Sequence, residues 1–245
     1  MHLFMFRIAP FSLLFFLVLS APVFAQKGKK NKGQEGLIGA YQSALQNGDV
    51  TAARGIVYDL LAAGADSLAW QDTLTHLYFV DGNHLQCVLS GRRLLATTPA
   101  NQAIRELVAA SEYALNSYKE SLADYEVLFK SSSSVYHAYQ IAVNQYMLQR
   151  LGECETTIEF LLVDPTAAKQ KVMIGVGDGR AQEVPLQAAA WNLRGVLCRD
   201  LAKTQEAMQC FRESLKIFPD FVLAQSNLEA LTSQGQTSPA VSKQK

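Results

Sequence analysis

A repeat of about 34 residues constrains the fold of this sequence more than any other feature. Three residues that favour turns lie at that spacing, and a small residue follows each of them after five positions. The turn residues are Gly48, Gly82 and Asn116, and the small residues are Ala53, Cys87 and Ser121. This pattern is typical of two helices that are joined by a short turn and cross closely. We therefore expect a chain of stacked helix pairs.

The clearest unit is the segment "AAAWNLRGVLCRDLAKTQEAMQCFRESLKIFPDF", residues 188–221. It closely resembles the tetratricopeptide repeat, whose pattern requires an aromatic residue, two small contact residues, a second aromatic residue, another small residue and a closing proline. These positions are occupied in order by Trp191, Gly195, Ala207, Phe211, Ser214 and Pro219. Two residues depart from the family pattern, since Arg194 replaces a leucine and Cys198 replaces an aromatic residue.

The resemblance implies an all-α fold, a right-handed superhelical solenoid of about five helix pairs. Residues 34–165 would form four degenerate repeats, and residues 188–221 would form the well-formed fifth. The predicted bounds of the degenerate repeats are 34–67, 68–101, 102–135 and 136–165. A capping helix is expected at 222–232. The polar segment 233–245 is expected to be disordered.

One segment does not fit the helical pattern, and it predicts a β-hairpin inserted at 166–187. Val172, Ile174 and Val176 alternate with other residues, and the following Gly177-Asp178-Gly179 suits a tight reversal. A strand follows the glycines instead of a helix, which argues against a phosphate-binding loop. The hairpin either seals the side of the solenoid or contacts a client protein. We favour the seal, because an exposed valine and isoleucine face would promote aggregation.

The N-terminal segment 1–25 resembles a secretory signal. It combines one arginine, the apolar run Phe11 to Leu19 and small residues before position 26, which predicts cleavage after Ala25. The mature protein would be exported, and soluble in the periplasm or outside the cell. A retained N-terminal anchor is the alternative. Residues 26–33 form a lysine-rich linker, and its segment Lys27–Lys32 could contact an anionic membrane surface weakly.

The charge balance argues against nucleic acid as a partner. Five of the 22 basic residues, Arg7 and four linker lysines, precede Gln34. The segment from Gln34 onward therefore has 17 basic and 22 acidic residues. Nucleic-acid binding needs clustered basic residues that displace counterions. No metal motif of the His-x-x-x-His or Cys-x-x-Cys type occurs in the sequence, and no cofactor is predicted.

Two further sets of residues carry potential chemistry. Asp72 and His76 lie four residues apart on one helix, which suits an acid and the base that it orients, but no nucleophile accompanies them. Of the four cysteines, Cys87 and Cys198 occupy interior positions of the repeats. Cys198 and Cys210 lie on partner helices and could form a disulfide, although buried free thiols are the preferred interpretation.

The resemblance implies that the first helix of each pair lines a concave wall, which binds a peptide or protein segment. The residues expected on this wall are Asp72, His76, Phe79, Glu106, Tyr113, Gln140, Asn144, Met147, Asn192 and Arg199. The function that this implies is a non-catalytic protein-binding scaffold in the bacterial cell envelope. A self-associating structural subunit and an enzyme that uses Asp72 and His76 are the alternatives.

Overall fold

The structure is a computed structural model that describes the backbone of residues 32–236 and side chains as far as residue 233. The predicted signal, nearly all of the linker and residues 237–245 lie outside this range. Within it, the chain forms eleven helices and one antiparallel pair of strands. The predicted all-α arrangement of five helix pairs with a hairpin insertion is confirmed. The described residues fall into two compact units, 32–128 and 129–236.

The first unit contains three helix pairs. The predicted turn residues Gly48, Gly82 and Asn116 all adopt positive φ angles, of 71°, 71° and 62°. The small residues after them, among them Ala53 and Cys87, are fully buried at the helix contacts. The helices are α1 (Lys32–Gln46), α2 (Val50–Ala62), α3 (Ser67–Val80), α4 (His84–Thr97), α5 (Gln102–Ala114) and α6 (Tyr118–Ser132), the last turn of α6 being part of the second unit.

The second unit contains two helix pairs, the hairpin between them and a final helix. Its elements are α7 (Val135–Met147), α8 (Leu151–Val163), β1 (Lys171–Gly177), β2 (Arg180–Pro185), α9 (Leu186–Asp200), α10 (Thr204–Ile217) and α11 (Val222–Gln236). The final helix ends at Gln236, whereas the capping helix was expected to end at 232. Leu231 is buried, and the Ser233 hydroxyl donates to the main-chain oxygens of Glu229 and Ala230, which extends the helix.

The pair α9–α10 packs as the sequence pattern predicts. A Cβ atom added to Gly195 would lie 2.4 Å from Cε1 of Phe211, so the two helices are too close for any side chain here. Ala207 is fully buried beside this contact. Arg194, which departs from the family pattern, lies 2.5 Å from the carboxylate of Glu155 on α8. The arginine is thus used in an ion pair where a leucine would have packed.

The hairpin covers the second unit with one of its faces. Val172, Ile174 and Val184 are almost fully buried, and both strands contact α9. Val176, which was expected on the same face, is only half-buried because the register shifts between Gly175 and Gly177. This burial favours the interpretation of the hairpin as a seal.

The reversal between the strands uses the predicted residues. Gly177, Asp178 and Gly179 have φ angles of 97°, 51° and 72°. Glycine adopts such angles at no steric cost, and aspartate tolerates them better than most residues. The glycines therefore have a conformational role in the turn.

The four cysteines are all buried and free. Burial raises the pKa of Cys87 to about 11 and that of Cys154 to about 12. Their thiols therefore remain protonated at neutral pH, as expected for core residues.

Candidate functional site

The ten residues expected on the binding wall all lie on first helices of the pairs, α3, α5, α7 and α9. Asp72, His76 and Glu106 are half-buried, and Arg199 is exposed. The two aromatic residues of the set are buried: Phe79 packs in the core of the first unit, and the ring of Tyr113 packs edge-to-face on Tyr118. The aromatic side chains thus contact the core more than a free surface.

In the first unit, Asp72 and His76 form a local ion pair. Nδ1 of His76 lies 3.2 Å from the carboxylate of Asp72, and Asn101 on α5 donates to the same carboxylate at 3.0 Å. Burial lowers the pKa of His76, but its hydrogen bonds and charge interaction with Asp72 outweigh burial and raise it above the usual value. Burial would raise the pKa of Asp72, but His76 and Asn101 hold it below its usual value.

A second charged cluster in this unit was not predicted. Arg92 on α4 contacts two carboxylates, Glu112 on α5 at 2.6 Å and Asp124 on α6 at 2.7 Å. Arg105 also contacts Asp124, at 2.6 Å. Both acidic side chains are 5% exposed, so the arginines compensate charges that are removed from water. The cluster joins three helices of the unit.

In the second unit, three buried amides have unused hydrogen-bonding atoms. Gln140 and Asn144 lie one turn apart on α7, and Asn192 lies on α9, which α7 contacts. Their side chains are at most 2% exposed. Gln140 Nε2, Asn144 Oδ1 and Asn192 Nδ2 have no hydrogen-bond partner among the described residues. The set therefore leaves two donors and one acceptor unpaired.

The other atoms of these amides are fixed by hydrogen bonds. Nδ2 of Asn144 donates to the main-chain oxygen of Gln140 at 2.9 Å. Oδ1 of Asn192 accepts from Nδ2 of Asn227 on α11 at 3.1 Å. The orientation of both asparagines is thereby set, and Asn227 extends the row of amides to a third helix. Asn227 was not among the predicted site residues.

A charged group lies on the same three helices. The hydroxyl of Tyr146 on α7 donates to Asp200 at 2.5 Å, and Arg199 contacts the other carboxylate oxygen of Asp200 at 3.0 Å. Arg199 also reaches Asn227 at 3.5 Å. Burial and the bond to Asp200 raise the pKa of Tyr146, so it stays a donor at neutral pH. Neither Tyr146 nor Asp200 was among the predicted site residues.

Met147, the remaining predicted residue of α7, is half-buried. Among the residues whose structure is described, no group of three or more His, Cys, Asp or Glu side chains could hold a metal ion. None of the helices between residues 32 and 236 is long and apolar enough to span a bilayer.

Comparisons with known proteins support the fold. Residues 188–221 match the family model described as "Tetratricopeptide repeat". No curated protein matches the sequence at a significant level.

Several solved structures are similar in fold. A tetratricopeptide repeat protein from Parabacteroides merdae is 15% identical, with 84% of this chain aligned to 75% of that one and a TM-score of 0.65. YrrB, described as a TPR protein with an unusual peptide-binding site, is 12% identical over 79% of this chain and 90% of its own, with a TM-score of 0.61. MamA from Desulfovibrio magneticus RS-1 is 10% identical over 78% and 98%, also with a TM-score of 0.61.

Proposed function

We propose that this chain is a non-catalytic scaffold that binds an extended segment of another protein, since its clearest repeat matches the tetratricopeptide-repeat model and its fold is similar to that of a tetratricopeptide repeat protein. The binding site comprises the amides of α7, α9 and α11 in the second unit. The proposal places the protein in the bacterial cell envelope, and the signal-like segment 1–25 supports that location.

The observation that carries the proposal is the set of unpaired amide atoms on Gln140, Asn144 and Asn192. A buried polar atom without a partner costs about 1–3 kcal/mol, so three together would be a large defect in a face without a ligand. An extended peptide presents main-chain oxygens and N–H groups in alternation. These atoms are buried, so the peptide reaches them only when the side chains around them shift; its oxygens then accept from Gln140 Nε2 and Asn192 Nδ2, and an N–H group donates to Asn144 Oδ1.

The charged group beside the amides indicates which part of a bound segment lies next to it. Arg199 is 40% exposed and is held by Asp200 and Asn227. Such a fixed guanidinium favours an acidic side chain or a carboxylate on the bound segment. Because YrrB is described as having a peptide-binding site, a peptide ligand also agrees with one protein of similar fold.

The polar pair of the first unit has a structural role in this proposal. The Nδ1 atom of His76 is engaged by both the carboxylate and the main-chain oxygen of Asp72, and Asn101 fixes that carboxylate. These bonds orient α3 against α5. In the proposed function, Asp72 and His76 therefore stabilise the fold and do not catalyse a reaction.

Affinity capture from an envelope extract tests the proposal. The full chain is compared with the Asn144→Leu variant, which keeps the side-chain volume and removes the free acceptor. Gln209→Leu is the matched control. Gln209 is an exposed amide on α10, the second helix of its pair, which does not belong to the proposed binding site. The captured partner is then identified and purified, and its binding to each variant is measured by calorimetry.

We expect Asn144→Leu to weaken binding at least about tenfold, which corresponds to roughly 1.4 kcal/mol for one hydrogen bond, and Gln209→Leu to leave it unchanged. Circular dichroism confirms that both variants are folded. Equal affinity of Asn144→Leu and the parent for the purified partner would show that the amides are not the binding site.

A further inference from the structure

The hairpin presents one strand edge whose hydrogen-bonding groups are unused. The main-chain N–H of Leu186 donates to the oxygen of Gln170, and the register pairs Val172 with Val184. Hydrogen-bonded pairs alternate along antiparallel strands, so Val172 and Ile174 bond to β2. The main-chain groups of the residues between them point away from β2, at the outer edge of β1. These residues are Lys171, Met173 and Gly175.

The outer edge of β1 has no partner within the described part of the chain. No main-chain or side-chain group there bonds to the backbone of Lys171, Met173 or Gly175. Proteins usually protect such an edge with charges or proline. The outer edge of β2 carries Glu183 and Pro185, but β1 has neither a charge nor a proline after Lys171.

The hairpin is also held firmly in place. Its inner face is buried through Ile174 and Val184, and the side-chain amide of Gln182 bridges the turn before α11. Nε2 of Gln182 donates to the oxygen of Asp220 at 2.6 Å, and its Oε1 accepts from the N–H of Val222 at 3.2 Å. The edge of β1 is therefore preorganised to add a strand.

We propose that the outer edge of β1 pairs with the same edge of a second copy of this chain. Antiparallel pairing about a two-fold axis through Met173 places the Met173 residues of both copies opposite each other. Lys171 then faces Gly175 of the second copy, and all three outward residues of each strand are used. The result is a four-stranded sheet in the order β2, β1, β1 and β2.

The charges and side chains of β1 suit this pairing with itself. The two Lys171 residues lie at opposite ends of the new strand pair, so like charges do not meet. Lys171 lies opposite a glycine, which leaves room for its long side chain. On the inner face, Val172 comes beside Ile174 of the second copy, and both side chains stay packed against their own unit, since each is 1% exposed.

The proposed interface is small, so we expect a low association constant. One pair of seven-residue strands buries less than the roughly 1,200 Å² of a typical stable interface. We therefore expect a weak dimer, whose population rises between low micromolar and near-millimolar protein concentrations.

Sedimentation velocity of the full chain tests this inference. Met173→Pro removes the outward N–H at the centre of the pairing and leaves the bonds to β2, because proline is tolerated at a strand edge. Glu183→Pro is the matched control, since Glu183 lies opposite Met173 and at the outer edge of β2. Circular dichroism and thermal melts verify that each variant is folded.

We expect a concentration-dependent dimer in the parent and in Glu183→Pro, and an association constant at least about tenfold lower in Met173→Pro. Amide hydrogen exchange at Lys171, Met173 and Gly175 should slow as the parent concentration rises. A monomer at all concentrations would refute the proposal. So would equal dimerisation of the two proline variants, because the copies would then meet at another surface.

Discussion

The contact between α9 and α10 predicts that Gly195→Ala destabilises the protein. The added Cβ would lie 2.4, 2.6 and 2.9 Å from three ring atoms of Phe211. Phe211 is fully buried, so its ring cannot turn into solvent. Forcing a methyl group into a packed core costs about 1–3 kcal/mol, whereas replacing a helical glycine by alanine gains roughly 1 kcal/mol. We expect a net loss of up to about 2 kcal/mol.

Gly55→Ala is the matched control for this prediction. Gly55 lies within α2, and an added Cβ would meet nothing within 4 Å. Only the gain in helix propensity applies there, so stability should rise by about 0.5–1 kcal/mol. Urea unfolding, followed by circular dichroism at constant pH, measures both changes.

A second substitution tests the cause. Phe211→Leu alone should destabilise the protein, because it leaves space beside Gly195. In the double variant the methyl group added at position 195 would enter that space, so the combined loss should be smaller than the sum of the single losses. If Gly195→Ala stabilised the protein as much as Gly55→Ala, the close helix contact at Gly195 would be refuted.

Three further predictions follow from other parts of the chain. His76→Gln should destabilise the protein most between about pH 4 and 6.5. The raised pKa of His76 contributes stability that is lost as pH rises through its folded value, and the lowered pKa of Asp72 contributes stability that is lost on acidification. Equal losses of stability at pH 5.5 and 8.5 would contradict this. Gln182→Ala should lower stability by about 1 kcal/mol in urea unfolding, because the first N–H of α11 loses its acceptor; an unchanged midpoint would show that the bridge is unimportant. N-terminal sequencing of the exported protein should begin at Gln26, and a membrane-bound product that retains residues 1–25 would favour the anchored alternative.

The helix pairs could be predicted from the sequence, because the signals that define them are local. A turn residue with positive φ and a small residue at the crossing recur in successive repeats, as at Gly48 and Ala53. The hairpin was equally visible, since two alternating segments flank Gly177-Asp178-Gly179. Such short-range patterns act through backbone conformation and close packing within one unit, so they can be recognised without the rest of the fold.

The pairing of polar groups could not be predicted from the sequence, because it depends on how the helices pack. Asn192 bonds to Asn227, 35 residues away, and Arg194 bonds to Glu155, 39 residues away. These partners depend on how one pair stacks on the next, and on the face that each helix turns inward. Gln140 and Asn144 could be assigned to an inner face from the repeat pattern, but their unpaired atoms could not. A hydrogen bond depends on ångström distances between helices, and the repeat spacing fixes only the order in which those helices follow each other.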